Sequence, residues 1–358
     1  MIEKLKIIDL STVLAGPSVA TFFAELGADV LKIEDINHSD VTKTWRIKDE
    51  KETAVSSYFS SVNYGKKYQV LDFKRKTDLE KIYTHIKEAD IVISNFRDIV
   101  ARKLRLDKTS LFAVNPKLIL GKILGFSSDE NRPAYDMILQ AECGFLSMTG
   151  TKQSGPQKMP VAMIDVLAAH QLKEGILIAL LERQNNPKFS CKEVVVHLDK
   201  VGIASLINQA SNYLMSGYIP RELGNEHPNI APYGELFLSS DGISFTLAIG
   251  TDLHFSKLWE YLFSTEIPDC YFSNGKRVAN RQKLFKLLKE RCIQLEFRDL
   301  SRFCMNENIP FGEIKTLDKV LNSDQAKEMT RSEEISGVNT KRITSIAFDI
   351  KNGKNYND

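Results

Sequence analysis

Asp165, in the stretch PVAMIDVLAAHQ, is the side chain of this 358-residue sequence best suited to covalent chemistry. Met163, Ile164, Val166 and Leu167 flank it at the head of an apolar, helix-patterned segment. An aspartate in the first turn of a helix is stabilised by free backbone N–H groups and by the helix dipole. The same donors would keep it ionised at neutral pH, as a carboxylate nucleophile must be. Taken alone, the residue reads as a cap or as a nucleophile. A second candidate is the turn STVLAGP, residues 11–17, which joins the apolar run LKIIDL to the helix-patterned SVATFFAEL. A turn of this kind that holds a dinucleotide carries G-x-G-x-x-G, so that bare backbone approaches the pyrophosphate. Here there is only Gly16, followed by Pro17. Glu34 ends the next strand-like run, roughly where an acid meets a ribose hydroxyl, but without the glycines a nicotinamide or flavin reading has little support. Basic residues gather beside turns: Lys66, Lys67, Lys74, Arg75, Lys76, Arg97, Arg102, Lys103 and Arg105. They read as solvated faces, or as a site for a phosphorylated ligand bound by charge-assisted hydrogen bonds.

Other chemistries find little footing. The six histidines, at 38, 85, 170, 197, 227 and 254, are scattered and form no H-E-x-x-H or close pair, and the five cysteines share no C-x-x-C spacing. No metal site is expected, and the thiols look reduced and cytosolic. A formal net charge of +2 argues against a dedicated nucleic-acid binder. The longest apolar run, GILIALL at 175–181, is of helix-core length and too short for a membrane span. The mixed charges of MIEKLKIIDL do not resemble a signal peptide. A cytoplasmic protein without membrane or nucleic-acid partners is expected.

The elements that must position these residues alternate in the first half. LKIIDL, ADVLKIE, YQVLDF, IVISNF and KLILGKILGF read as strands separated by helical segments, the spacing of a Rossmann-like, doubly wound parallel sheet. Ligand loops belong at the carboxyl ends of such strands, where Ser11, Thr12, Glu34, Asn95 and Arg97 fall. PVAMIDVLAAHQLKEGILIALLER and HLDKVGIASLINQASNYLMSG have helical spacing, with NNPKFSCK as the loop after the first. ELFLSSDGISFTLAIG reads as a hairpin around Asp241-Gly242. The expected division is a large α/β domain over 1–221, completed by 323–358 with ITSIAFDI as a returning strand, and a smaller α+β domain over 222–322.

Several longer stretches, in order, carry a resemblance. They are DLSTVLAGPSVATFFAELGADVLKIE, SYFSSVNYGKKYQVLDFK, ISNFR, RPAYDMILQAECGFLSMTG, GNEHPNIAPYGELFLSSDG, RVANRQKLFKLL and IPFGEIKTLDKVL. With them the chain resembles, over nearly its whole length, the class III CoA-transferase family. That group contains formyl-CoA and carnitine CoA-transferases, succinyl-CoA-dependent dicarboxylate CoA-transferases and the α-methylacyl-CoA racemases. The resemblance implies that STVLAGP lies against coenzyme A, with Thr12, Val13 and Leu14 facing cofactor or substrate. It places Lys74, Asn95, Phe96 and Lys103 at the nucleotide end, Leu71 and Tyr58 along the pocket, and Tyr135 and Asp136 near the reacting centre. Asp165 takes the place of the catalytic aspartate. The GNEHPN loop, with Gly224, Asn225 and His227, falls where the second domain approaches the active site. The implied substrates are an acyl-CoA thioester and a carboxylic acid, with no tightly bound cofactor and no metal, and the implied assembly is an interlocked homodimer.

There are departures from the family pattern. ISNFRDIV lacks the proline and glycine usual after NFR, NNPKFSCKE lacks a glycine-rich turn, Asp35 stands near a position that is basic in some relatives, and Ala169 replaces a glycine. Within the family the rival reading is a racemase, which needs acid/base groups on both sides of the α-carbon. Racemases carry a histidine where this chain has Tyr135, and tyrosine, with an ordinary pKa of about 10, is a poor base at neutral pH. A non-catalytic CoA-binding or assembly protein is the alternative of another class; it predicts the loss of Asp165, which is retained.

Overall fold

The computed structural model describes residues 2–129 and 131–351. Contacts divide the chain into two compact units. One comprises the residues up to Cys143, Met159–Ile207 and the residues from Asp324 on; the other comprises Gly144–Lys158 and Asn208–Ser323.

Six strands form the centre of the first unit: β1 (Lys6–Asp9), β2 (Asp29–Asp35), β3 (Lys67–Leu71), β4 (Ile91–Ser94), β5 (Ile119–Leu124) and β6 (Lys192–His197). All neighbours are parallel, in the order β3-β2-β1-β4-β5-β6. A parallel sheet is covered on both faces, so its strands read as continuous apolar runs; every residue of β4 and of β5 is buried. The helices of seven residues or more in this unit are α1 (Ala15–Glu25), α2 (Lys76–Glu88), α3 (Asp98–Leu104), α4 (Lys108–Val114), α5 (Asp136–Glu142), α6 (Met163–Asn185) and α7 (Leu198–Ala204). On one face Ile82 and Ile86 of α2 and Leu111 of α4 pack with Ile8, Ile33, Val92 and Leu120. On the other, α1 packs against α6, and α6 against β5 and β6. A Cβ on Gly175 would lie 2.5 Å from Val194 Cγ1, so this glycine lets α6 sit close on β6. Strand order reverses between β1 and β4, which opens a ligand crevice at the carboxyl edge.

Two expectations are corrected here. HLDKVGIASLINQASNYLMSG is not one helix: His197 ends β6, and the helical part breaks between Ala204 and Ile207, where Ile207 has φ 41°. ITSIAFDI is not a returning strand either, because only Ile343 is in a strand, at the end of the antiparallel hairpin Thr330–Ile335 with Val338–Ile343. Side chains attach this hairpin to the rest of the unit. Arg342 pairs with Glu25, Ser345 donates its backbone N–H to Glu25 Oε2 at 2.9 Å, and Gly65 donates to Glu333 at 3.0 Å.

The second unit has a three-stranded antiparallel sheet of β7 (Tyr233–Leu238), β8 (Ser244–Ala248) and β9 (Phe311–Glu313), with β8 in the middle. Gly242, at φ 79°, makes the turn expected between β7 and β8. The core of this unit joins Phe237, Phe245 and Leu247 of the sheet to Phe255, Trp259, Leu284 and Leu300 of its helices. An α+β arrangement results.

Candidate active site

Asp165 lies in the first turn of α6, a 23-residue helix whose N-cap, Ala162, has no capping side chain. The orphan donors of that turn are satisfied from elsewhere. Asp136, the first residue of α5, accepts from the backbone N–H groups of Ile164 at 2.8 Å and Asp165 at 3.3 Å, and its other oxygen accepts from Gln140 Nε2. Gln140 in turn accepts from Met159 N–H at 2.8 Å, tying down the segment that leads into α6. The sequence reading assigned the first-turn donors to Asp165; they belong to Asp136. The Asp165 carboxylate is 8% exposed and has no hydrogen-bond donor among the described residues. Burial, and then the negative charge of Asp136, push its pKa up to about 7. It is therefore poised between acid and carboxylate at neutral pH, a state sequence did not reveal.

The turn before α1 faces the same cavity. Thr12 donates its N–H to Asn95 Oδ1 at 3.2 Å and accepts from Asn95 Nδ2 at 3.0 Å, so the Asn95 amide clamps the turn from both sides. Val13 N–H donates to Asp40 Oδ2 at 3.1 Å. Val13 has φ 74°, a left-handed backbone that costs a β-branched residue about 1–3 kcal/mol and persists only where the surroundings enforce it. Gly16 serves close approach, since a Cβ there would lie 2.4 Å from Ser11 Cβ and Oγ. No side chain caps α1, and its N-terminal residues Leu14 and Ala15 line the cavity. That cavity holds about 290 Å³ and is lined by Thr12, Val13, Leu14, Ala15, Asn95, Arg97, Tyr135 and Asp165, with the ends of β5 below.

Beneath the turn lies a buried charge network that sequence reasoning missed. Asp9 and Lys32 are fully buried, and Lys66 and Asp40 nearly so. Lys66 Nζ is 2.8 Å from Asp9, and Lys32 Nζ is 3.7 Å from Asp9 and 3.6 Å from Asp40. Lys32 also donates to the Ser11 carbonyl at 2.7 Å, and Asp9 accepts from the Ser11 N–H at 3.0 Å. Burial by itself raises the pKa of Asp9, but Lys32 and Lys66 outweigh it and hold Asp9 at about 2. Burial brings Lys66 down to about 8 against the pull of Asp9. Lys66 is thus part of the scaffold, not of a phosphate-binding face. The sequence did carry a signal: a lysine in the apolar run ADVLKIE of a parallel sheet must find a buried partner.

A second cavity of about 460 Å³ shares Thr12 and Arg97 with the first and continues across the ends of β1, β2 and β4. Phe73, Phe96, Val100 and Leu104 give it apolar walls, and Lys74, Lys103, Glu34 and His38 give it polar ones. Leu71 is buried in the core with Ile33 and Phe73. Tyr58 is stacked edge-on against Trp45 at 5.2 Å, and Tyr135 lies 6.3 Å from Trp45. Burial, followed by the charges of Asp165 and Asp136, raises the pKa of the Tyr58 phenol. Trp45 joins this aromatic group without having been singled out in the sequence.

Gly224, Asn225 and His227 lie in the second unit, where the loop is fixed locally. Gly224 donates to the Gly150 carbonyl at 2.7 Å, and His227 donates its N–H to Tyr233 at 3.2 Å and sets its ring 5.1 Å from the Tyr233 ring. Among the described residues no three His, Cys, Asp or Glu side chains group as a metal site, and no helix is long and apolar enough to cross a membrane.

The comparison with known proteins accords with this geometry. A succinate–glutarate CoA-transferase of Agrobacterium fabrum is 32% identical over 332 residues, covering 90% of this chain and 82% of that protein. A succinyl-CoA:mesaconate CoA-transferase of Haloarcula hispanica is 30% identical over 294 residues, covering 79% of this chain and 72% of its own length. A solved CaiB/BaiF family protein from Brucella suis, 34% identical, superposes with a TM-score of 0.79 over 97% of this chain and 92% of that one. Residues 2–356 match the CoA-transferase family III pattern. Because that match runs through both compact units, the chain belongs to CoA-transferase family III, enzymes that move CoA between an acyl thioester and a free carboxylic acid.

Proposed function

We propose that Asp165 is the nucleophile of this transfer and that CoA lies along the two adjoining cavities of the first unit. The observation that carries this is Asp165 itself: a buried carboxylate without a donor, lining a cavity at the carboxyl edge of the sheet. Its carboxylate attacks the thioester carbonyl, the C–S bond breaks, and an aspartyl–acyl anhydride and CoA thiolate form. The thiolate attacks the aspartyl carbonyl and expels the first acid, leaving an aspartyl–CoA thioester. The incoming carboxylate displaces CoA from Asp165 as a second anhydride, and the thiolate takes the new acyl group. Each step exchanges one activated acyl bond for another, so no further energy source is needed. The N–H groups of Ala15 and Gly16, at the uncapped start of α1, are suited to the tetrahedral oxyanions, where such donors contribute about 3 to 4 kcal/mol each.

The relatives named for succinyl-CoA, glutarate and mesaconate support a dicarboxylic acid as one substrate. We further propose a cytoplasmic homodimer, interlocked as the family resemblance implies. The bare apolar side chains of Ile207–Ser216, where Leu214 and Met215 are 79% and 88% exposed and no residue is buried, support association with another chain.

Incubation with acyl-CoA alone is expected to leave an activated aspartyl group that hydroxylamine traps at residue 165, seen as a mass increase on that peptide. A racemase would keep the thioester intact and wash deuterium into the α-position. Rapid α-deuteration with an unmodified Asp165 would overturn the transferase mechanism for this site.

Lys74 and Lys103 line the second cavity and suit the nucleotide phosphates. Replacing either by glutamine is expected to weaken CoA binding roughly threefold to tenfold at low ionic strength, and less as salt screens the charge. Calorimetric titration at two salt concentrations reads this directly, and equal affinities at low salt would return both lysines to the ordinary surface.

A further inference from the structure

Glu34, the penultimate residue of β2, has a side chain only 4% exposed. One of its oxygens is ion-paired with Lys43. The other, Oε1, is buried with no hydrogen-bond partner, and the side chain lines the 460 Å³ cavity. A buried carboxylate oxygen without a partner is costly and is normally satisfied by something. We infer that this something is the 2′-hydroxyl of the CoA ribose, donating to Glu34 Oε1.

The inference rests on the placement of CoA proposed above and adds an orientation to it. An ionised carboxylate only accepts, so what meets it must donate. The CoA nucleotide has two such groups, the ribose 2′-hydroxyl and the adenine amine. The apolar walls made by Phe73, Phe96 and Val100 suit the base. The ribose carries its 2′-hydroxyl next to its 3′-phosphate, and the same cavity sets Glu34 among the cations that a phosphate requires, Lys74 and Lys103. Lys43 already neutralises Glu34, and Asp35, the neighbouring carboxylate that also lines the cavity, is engaged by His38 Nδ1 at 2.9 Å, so a phosphate on the adjoining ribose carbon meets no bare carboxylate. The strand order β3-β2-β1-β4-β5-β6 is the one in which an acid at the end of the second strand meets a ribose hydroxyl. In this chain that role is retained although the glycine turn is not.

The test is calorimetric titration of the wild-type full chain and of Glu34→Met with CoA, with its 2′-deoxyribose analogue and with its hypoxanthine analogue. The wild type is expected to bind CoA roughly tenfold or more tightly than 2′-deoxy-CoA, as for a hydrogen bond to a charged group. Glu34→Met is expected to bind the two about equally. If this variant does not fold, the wild-type ratio still decides: CoA and 2′-deoxy-CoA bound equally by the wild type would overturn the assignment. A variant that keeps the wild-type preference for the 2′-hydroxyl overturns it as well. Loss of discrimination against the hypoxanthine analogue alone would move Glu34 to the base and overturn the ribose contact. A wild-type chain that binds no CoA would overturn the CoA placement together with this inference, whereas CoA binding without a 2′-preference removes the inference alone.

Discussion

Asp165→Asn is expected to abolish CoA transfer, lowering kcat by roughly 10⁴-fold or more, as removal of a covalent nucleophile does. The same substitution is expected to raise thermal stability at alkaline pH. The folded-state pKa of about 7 lies above the ordinary aspartate value of 3.8. Between those values the folded chain therefore binds more protons than the unfolded one, and stability falls as pH rises through that window. Asparagine keeps the shape without the charge and escapes that loss. The measurement is kcat with an acyl-CoA and an acceptor acid, together with melting curves at pH 4 and pH 8. The variant should gain on the wild type between the two. Retained turnover would end the nucleophile assignment, and a variant that melts equally with or below the wild type at pH 8 would show that the charge of Asp165 is not a burden on the fold.

Asp9→Ala is expected to be strongly destabilising. It leaves Lys66 and Lys32 buried at 2.8 and 3.7 Å from an emptied site and takes from Ser11 the acceptor for its N–H and hydroxyl. Breaking a buried pair by removing one partner costs about 3–5 kcal/mol. Because the network carries the Val13 turn, CoA affinity should fall as well. Asp9→Asn separates the effects, since an amide can still accept from Ser11 but leaves Lys66 without its carboxylate and Lys32 with one, Asp40, in place of two. Urea unfolding followed by near-UV circular dichroism reads the loss. A change below about 1 kcal/mol for Asp9→Ala would mean that water reaches the site. The folded pKa of Asp9, about 2, lies below the ordinary carboxylate value of 3.8. Its contribution is therefore fully present above that value and is lost as pH falls toward 2.

The sequence by itself determined the parallel sheet, through apolar runs such as IVIS and ILGKIL that only a doubly covered strand tolerates. It also determined the family, through motifs kept in order, and it singled out Asp165. These are properties of local pattern and residue type. Tertiary structure decided what Asp165 is, because its pKa is raised by burial and then by the charge of Asp136, which takes the first-turn N–H groups from another helix, 29 residues away in sequence. It decided that Lys66 is scaffold while Lys74 lines a cavity, a distinction of burial that their shared basic chemistry cannot encode. It also decided how STVLAGP is held. Asn95 clamps Thr12 across 83 residues, and Asp40 fixes Val13 across 27. Partners so far apart are set by the packing of strands side by side, and no local periodicity records them.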